Sequence, residues 1–190
     1  MRSKGFIIIM LFVLLSGLLC AIPAQTTAAE RVESREYPLK AAFVYNFLKF
    51  TRWANEGLLS EHRPLLLGVA GPNYFGDALL PLEKKSVAGR PIILTYGSNL
   101  DWTAVVDCQV VFITFQKREQ FSHVLDEVAG RPVLTISDAP GFARQGGCIE
   151  LVKQQGKISF IINRGAIEKQ GLALSYKVYS MALEVIGDEV

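Results

Sequence analysis

Apolar and polar positions follow two rhythms along this chain, and the switches between them mark its elements. Between residues 38 and 54 the apolar side chains recur at helical spacing. Leu39, Phe43, Phe47, Phe50 and Ala54 fall on one arc, and Ala41, Val44, Tyr45 and Leu48 form a second stripe, with Lys40 and Thr51 interrupting between them. The spacing predicts a helix starting at Ser34 or Pro38, where the missing N–H of a first-turn proline costs nothing. The first stripe is assigned to the core. The second, represented by Val44, Tyr45 and Leu48, is either covered by the C-terminal helix or forms a dimer or partner interface, because a helix lying on one sheet needs only one apolar face.

Short, wholly apolar runs follow, separated by helical stretches. LLLGVAG (65–71) reads as a strand, NYFGDALLPLEKK as a helix broken near Pro81, and PIILTY (91–96) and CQVVFITF (108–115) as strands. KREQFSHVLDEVAG then reads as a helix and PVLTIS (132–137) as a strand. Such strands indicate a parallel sheet covered on both faces. After Asp138 the rhythm changes: CIELVKQQGKISFIIN is a hairpin turning at residues 154–156. Asn163 is placed as the cap of a short helix closed by Gly171, and a final helix after Ser175 sets Leu174, Val178, Met181 and Val185 on one face. The predicted fold is α/β: a single three-layer domain with a mostly parallel central sheet, helices on both faces and a β-hairpin near the C-terminus.

The first residues change the picture of where this domain works. Arg2 and Lys4 precede an apolar run over residues 5–19, and small residues follow at Ala24 and Ala29, the layout of a secretory signal with cleavage after residue 24 or after residue 29. Residues 1–24 are therefore read as signal and 25–190 as one domain. Cys20 as a lipidation site is disfavoured, because Leu19 stands where such signals carry a small side chain. The chain has 20 basic and 18 acidic residues, and Arg2 and Lys4 leave with the signal, so the mature protein is formally neutral. Nucleic acid, which demands clustered cations, is not an expected partner, and no membrane insertion is expected after cleavage.

Candidate chemistry is sparse. His62 and His123 stand apart from each other and from any cysteine or carboxylate at ligand spacing, so no metal and no cofactor are expected. GPNYFG (71–76) lacks the features of a phosphate loop and is read as a tight turn. The loop SDAPGFARQGG (137–147) lies at the carboxyl end of a strand, the edge where open α/β sheets bind ligands. Ser137, Asp138 and Arg144 are the ligand-binding candidates there, with turn capping and a surface ion pair as the plain alternative. No nucleophile elbow or activated triad appears, and the expectation is a protein that is not an enzyme. Cys108 and Cys148 each begin a predicted strand in a disulfide-permissive compartment, which leaves two readings: a bridge, if those strands are neighbours, or two buried, inert thiols.

Taken in order, KAAFVYNFLKFTRW (40–53), GVAGPNYFG (68–76), AGRPI (88–92), DCQVVFI (107–113), VLTISDAPGFARQGGCIELV (133–152) and ISFIINRGAIEKQGLALSYKVYSMA (158–182) resemble the YfiR-like family of exported bacterial proteins. The resemblance implies a periplasmic, non-catalytic α/β protein that dimerises. It also implies repression of an inner-membrane diguanylate cyclase through the periplasmic sensor portion of that enzyme, which lowers cyclic di-GMP and biofilm formation. The alternative from a different class is a periplasmic small-molecule sensor using the 137–147 loop. The resemblance also implies that some relatives carry a cysteine near the position of Gly68, able to bridge to the one matching Cys108. Here that partner is a glycine.

Overall fold

Branched and aromatic residues packed without a polar break leave a strand nothing to show to solvent, so such strands collect at the centre of a sheet. The computed structural model describes residues 28–53, 63–97, 105 and 107–187. The chain divides into Met1–Val32 and Glu33–Val190, and the second unit holds every described strand. The expected signal and its cleavage points lie outside the described residues.

Helix α1 (Ala28–Phe50) runs into β1 (Thr51–Trp53). The strands β2 (Leu65–Ala70), β5 (Val110–Ile113) and β6 (Leu134–Ser137) lie side by side and parallel at the centre, β2 and β5 wholly apolar and β6 carrying the buried hydroxyls of Thr135 and Ser137. Beyond them come β3 (Ser86–Val87) and β4 (Arg90–Gly97) on one side, and β7 (Ile149–Gln154), β8 (Lys157–Asn163) and β10 (Glu184–Ile186) on the other. The order across this eight-stranded sheet is β10-β8-β7-β6-β5-β2-β4-β3. The β7–β8 hairpin pairs Gln154 with Lys157 and turns through Gln155 and Gly156, both at positive φ, as the QQG signal predicts.

One core lies under α1, where Val44, Phe47 and Leu48 meet Leu67, Phe112, Ile136 and Phe160. The other lies under α2 (Arg118–Glu127), where Phe121 and Val124 meet Val111, Ile113 and Phe142. This is the three-layer arrangement expected. Asn163 caps α3 (Arg164–Lys169), its side chain accepting from the Ala166 N–H at 2.9 Å, and Gly171 closes the segment at positive φ.

Two predicted helices are not formed. Residues 72–85 make successive turns and a single 3₁₀ segment, Leu80–Lys84, with N–H groups bonding back three residues or fewer. Gly76 sits in the left-handed region, and Pro81 has no N–H to give, so a continuous α-helix cannot pass. The predicted C-terminal helix is one turn, α4 (Tyr176–Tyr179). Beyond it the Leu183 N–H donates to the Phe160 carbonyl at 2.8 Å and draws the chain into β10, parallel to β8. Between α3 and α4, β9 (Leu172–Leu174) pairs antiparallel with β1 in a small separate sheet.

Candidate functional site

The phase of α1 differs from the one read from its apolar residues. Its buried arc is Lys40, Ala41, Val44, Phe47, Leu48 and, one residue past its end, Thr51. Val44 and Leu48 are fully buried, so they do not form an interface, and Tyr45 is half-buried against the same core. Of the stripe assigned to the core, only Phe47 is enclosed. Leu39 is 44% exposed and Phe43 and Phe50 are half-buried, while Ala54 lies outside the described residues. The physical reason lies in the two polar residues that seemed to interrupt. Thr51 is buried because its hydroxyl donates to the Phe47 carbonyl at 2.7 Å. Lys40, 4% exposed, is buried because two carboxylates receive it.

Those carboxylates belong to an ion network at the carboxyl edge of the sheet. The Lys40 ammonium lies 2.6 Å from Glu36, one helical turn back, and 2.5 Å from Asp138, just past the end of β6. Glu36 also receives Lys153 from β7. Gln116, beyond the end of β5, donates from Nε2 to the other oxygen of Asp138 at 2.8 Å. The Tyr37 ring faces the same ammonium, 4.7 Å from its centroid. Burial pushes the Glu36 carboxyl up, but hydrogen bonds from Lys153 and Lys40 outweigh it and hold the group below its ordinary range. Burial likewise pushes Lys40 down, and Asp138 and Glu36 more than reverse that. The network therefore pins the helix to three strand ends in its charged state. The i, i+4 spacing of Glu36 and Lys40 was the signal available in the sequence. Lys153 and Gln116 carried none.

Ser137 closes β6, Asp138 and Arg144 lie in the loop after it, and the three side chains do not converge. The Ser137 hydroxyl donates to the Ile113 carbonyl at 2.6 Å and accepts from the Ala139 N–H at 3.1 Å, stapling β6 to β5. Asp138 is engaged by Lys40 and Gln116. Arg144 reaches away to Glu184, the first residue of β10, its Nη2 donating to both carboxylate oxygens at 2.6 and 2.8 Å. The residue that shapes the loop from below is Glu150, buried, which accepts from the Gly141 and Ala143 N–H groups at 2.9 and 3.1 Å. Each predicted ligand group thus already holds a partner within the chain.

The weighed Cys108–Cys148 pairing is not formed. Both thiols are free, and they belong to different cores, Cys108 to the one under α2 and Cys148 to the one under α1. Their strands are separated by β6, and the sheet itself stands between the sulfurs. Burial pushes the Cys108 thiol up to about 11, a hydrogen bond to Thr95 opposing and the Asp107 charge adding to it. Burial also raises Cys148, against hydrogen bonds from Thr135.

Among the described residues a cleft of about 450 Å³ lies between the end of α2 and α3, lined by Leu125, Asn163 and Lys169, and a smaller, more apolar one of about 140 Å³ lies between the end of α1 and α4. Phe43 and Phe50 stand in its walls with Met181, and Phe47 and Phe160 form its floor. Phe160 meets Phe43 at 5.8 Å and 64° and Phe47 at 5.0 Å and 78°, both edge-to-face. The residues assigned to the core from sequence are thus the walls of a surface feature, because α4 is too short to cover them.

The described residues thus form an α/β domain with a pinned helix, a self-satisfied carboxyl edge and an open aromatic cleft. The chain belongs to the YfiR/HmsC-like family, which it matches over residues 37–183. Proteins of that family are in general periplasmic regulators acting with membrane diguanylate cyclases in cyclic di-GMP signalling, and they are regulatory, not catalytic. Among the curated proteins none matches the chain. Among solved structures, it is similar to a conserved domain protein from Vibrio cholerae O1 biovar eltor str. N16961, with 13% identity and a TM-score of 0.48. The match covers 80% of this chain and 60% of that one, so the chain spans a little under two thirds of its neighbour's length. No helix among the described residues is long and apolar enough to cross a membrane.

Proposed function

We propose that this protein is exported to the periplasm, binds the periplasmic sensor portion of an inner-membrane diguanylate cyclase and holds that enzyme in its inactive state. Repression lowers cyclic di-GMP and biofilm formation. The observation that carries the reading is the family match, which spans residues 37–183 and so takes in both cores and every strand of the described sheet except β10. The carboxyl edge supports it: Ser137, Asp138 and Arg144 serve the fold, which favours recognition by surface over capture of a small ligand. Repression of this kind requires only that the protein bind one state of a two-state partner more tightly than the other.

Deleting the gene while the cyclase is expressed is expected to raise cyclic di-GMP, measured by mass spectrometry of cell extracts, and surface attachment with it. Unchanged cyclic di-GMP in that strain would remove the reading.

A further inference from the structure

The cleft beside α1 has a size, a lining and a charge that together specify an occupant. At about 140 Å³ it falls below the roughly 300–1,000 Å³ of pockets that enclose a whole small molecule, yet it has room for one large side chain. Its floor is an edge-to-face array of rings, to which an inserted aromatic or branched side chain adds favourably. Its rim is uncovered and mixes apolar with polar groups, with Met181 62% exposed beside Asn46 and Lys177, and the neighbouring Tyr176 82% exposed. Methionine and tyrosine in such positions adapt to and anchor a bound chain.

The charge narrows the choice. Lys177 lines the cleft and Lys49 lies 5.7 Å from the Phe50 ring, and neither pairs with a carboxylate among the described residues. A second copy docked symmetrically about this cleft would bring Lys177 toward its own equivalent, a like-charge contact that disfavours self-association here.

We propose that this cleft receives one large aromatic or aliphatic side chain from an acidic segment of a different protein, with carboxylates flanking that side chain meeting Lys49 and Lys177. Resting on the proposed function, the segment belongs to the periplasmic part of the membrane partner.

The test uses the mature full-length protein and a fluorescein-labelled peptide carrying one phenylalanine between two pairs of glutamates, followed by fluorescence anisotropy. Binding is expected, and it should fall at least about tenfold when the peptide's phenylalanine becomes alanine, when its glutamates become lysines, or in Met181→Glu or Lys177→Glu protein. Both exposed substitutions should leave circular dichroism and the melting temperature unchanged. No binding, equal binding of the lysine peptide, or wild-type binding by both variants would overturn the proposal. So would a sedimentation experiment in which a wild-type dimer becomes a monomer on Met181→Glu, which would make a second copy the occupant. Retention on phosphatidylglycerol vesicles that Met181→Glu abolishes, without peptide binding, would make it a lipid surface. In cells, an exported Met181→Glu form that fails to lower cyclic di-GMP in the deletion strain supports the cleft as the docking point. Full complementation by that form would reject the cleft while leaving the repressor reading intact, and a deletion without effect would remove that reading and leave the peptide result to decide the cleft.

Discussion

Lys40 shows how one residue resets the reading of a helix. A lysine amid apolar positions marks a solvated face unless something receives its charge, and here Glu36 and Asp138 both do, each 16% exposed. Lys40→Ala leaves Asp138 with only the neutral Gln116 and Glu36 with only the more exposed Lys153, and the expected cost is about 3 kcal/mol in a urea titration. A loss within about 0.5 kcal/mol would mean the network contributes no more than a surface pair. The same network sets an acid limit. Because the Glu36 carboxyl is held below its ordinary value in the fold, its contribution is present above the unfolded value of 4.5 and is lost as pH falls through the folded one. Glu36→Gln should therefore flatten the dependence of stability on pH below about pH 5, seen by following the melting temperature across that range. At the alkaline end, Cys108 is protonated until its pKa of about 11, so the native thiol should resist iodoacetamide at pH 8 and react progressively faster as pH approaches that value.

At the scale of elements, helix α1 turns on its axis relative to its apolar pattern. Small and branched residues, Ala41 and Val44, face the sheet and allow close approach, whereas the large rings of Phe43 and Phe50 sit at the flank. Phe160 of β8 joins the two regions, being buried and in ring contact with Phe43 and Phe47. Phe160→Ala is expected to cost about 3–5 kcal/mol, measured by denaturant unfolding. A second element-scale test concerns β2 and the connection before β5. A Cβ added at Gly68 would lie 3.0 Å from the Cys108 sulfur, within the reach of a disulfide, and 2.7 Å from the Cβ of Val105, which must give way. Gly68→Cys should therefore bridge to Cys108 under oxidising conditions, leaving Cys148 as the one reactive thiol after denaturation. The parent protein, exported and cleaved, should show two.

For the molecule as a whole, the parallel centre of the sheet was legible because β2 and β5 are short apolar runs with no polar face and β6 adds only two small hydroxyls, Thr135 and Ser137, that bury when hydrogen-bonded, so burial on both sides accommodates all three. The hairpin was legible because QQG lies between two apolar runs, and α3 because Asn163 and Gly171 bracket it. The C-terminal segment was not. Leu174, Val178, Met181 and Val185 keep helical spacing, but the β8 edge offers the chain a row of unpaired carbonyls that one more helical turn could not match. Loss of that helix is what uncovers the cleft.

The sequence alone therefore determined the layers, the identity of the central strands, the caps and the family, since these depend on local propensity, on burial of whole apolar runs and on motif order. Tertiary structure alone decided which face of α1 is inside, where Lys40 goes, that Cys108 and Cys148 stay apart, and that a cleft opens beside Phe160. Each of these depends on a partner distant in the chain: Asp138 lies 98 residues from Lys40. A one-dimensional pattern records a residue's polarity, whereas its burial depends on what the fold brings to meet it.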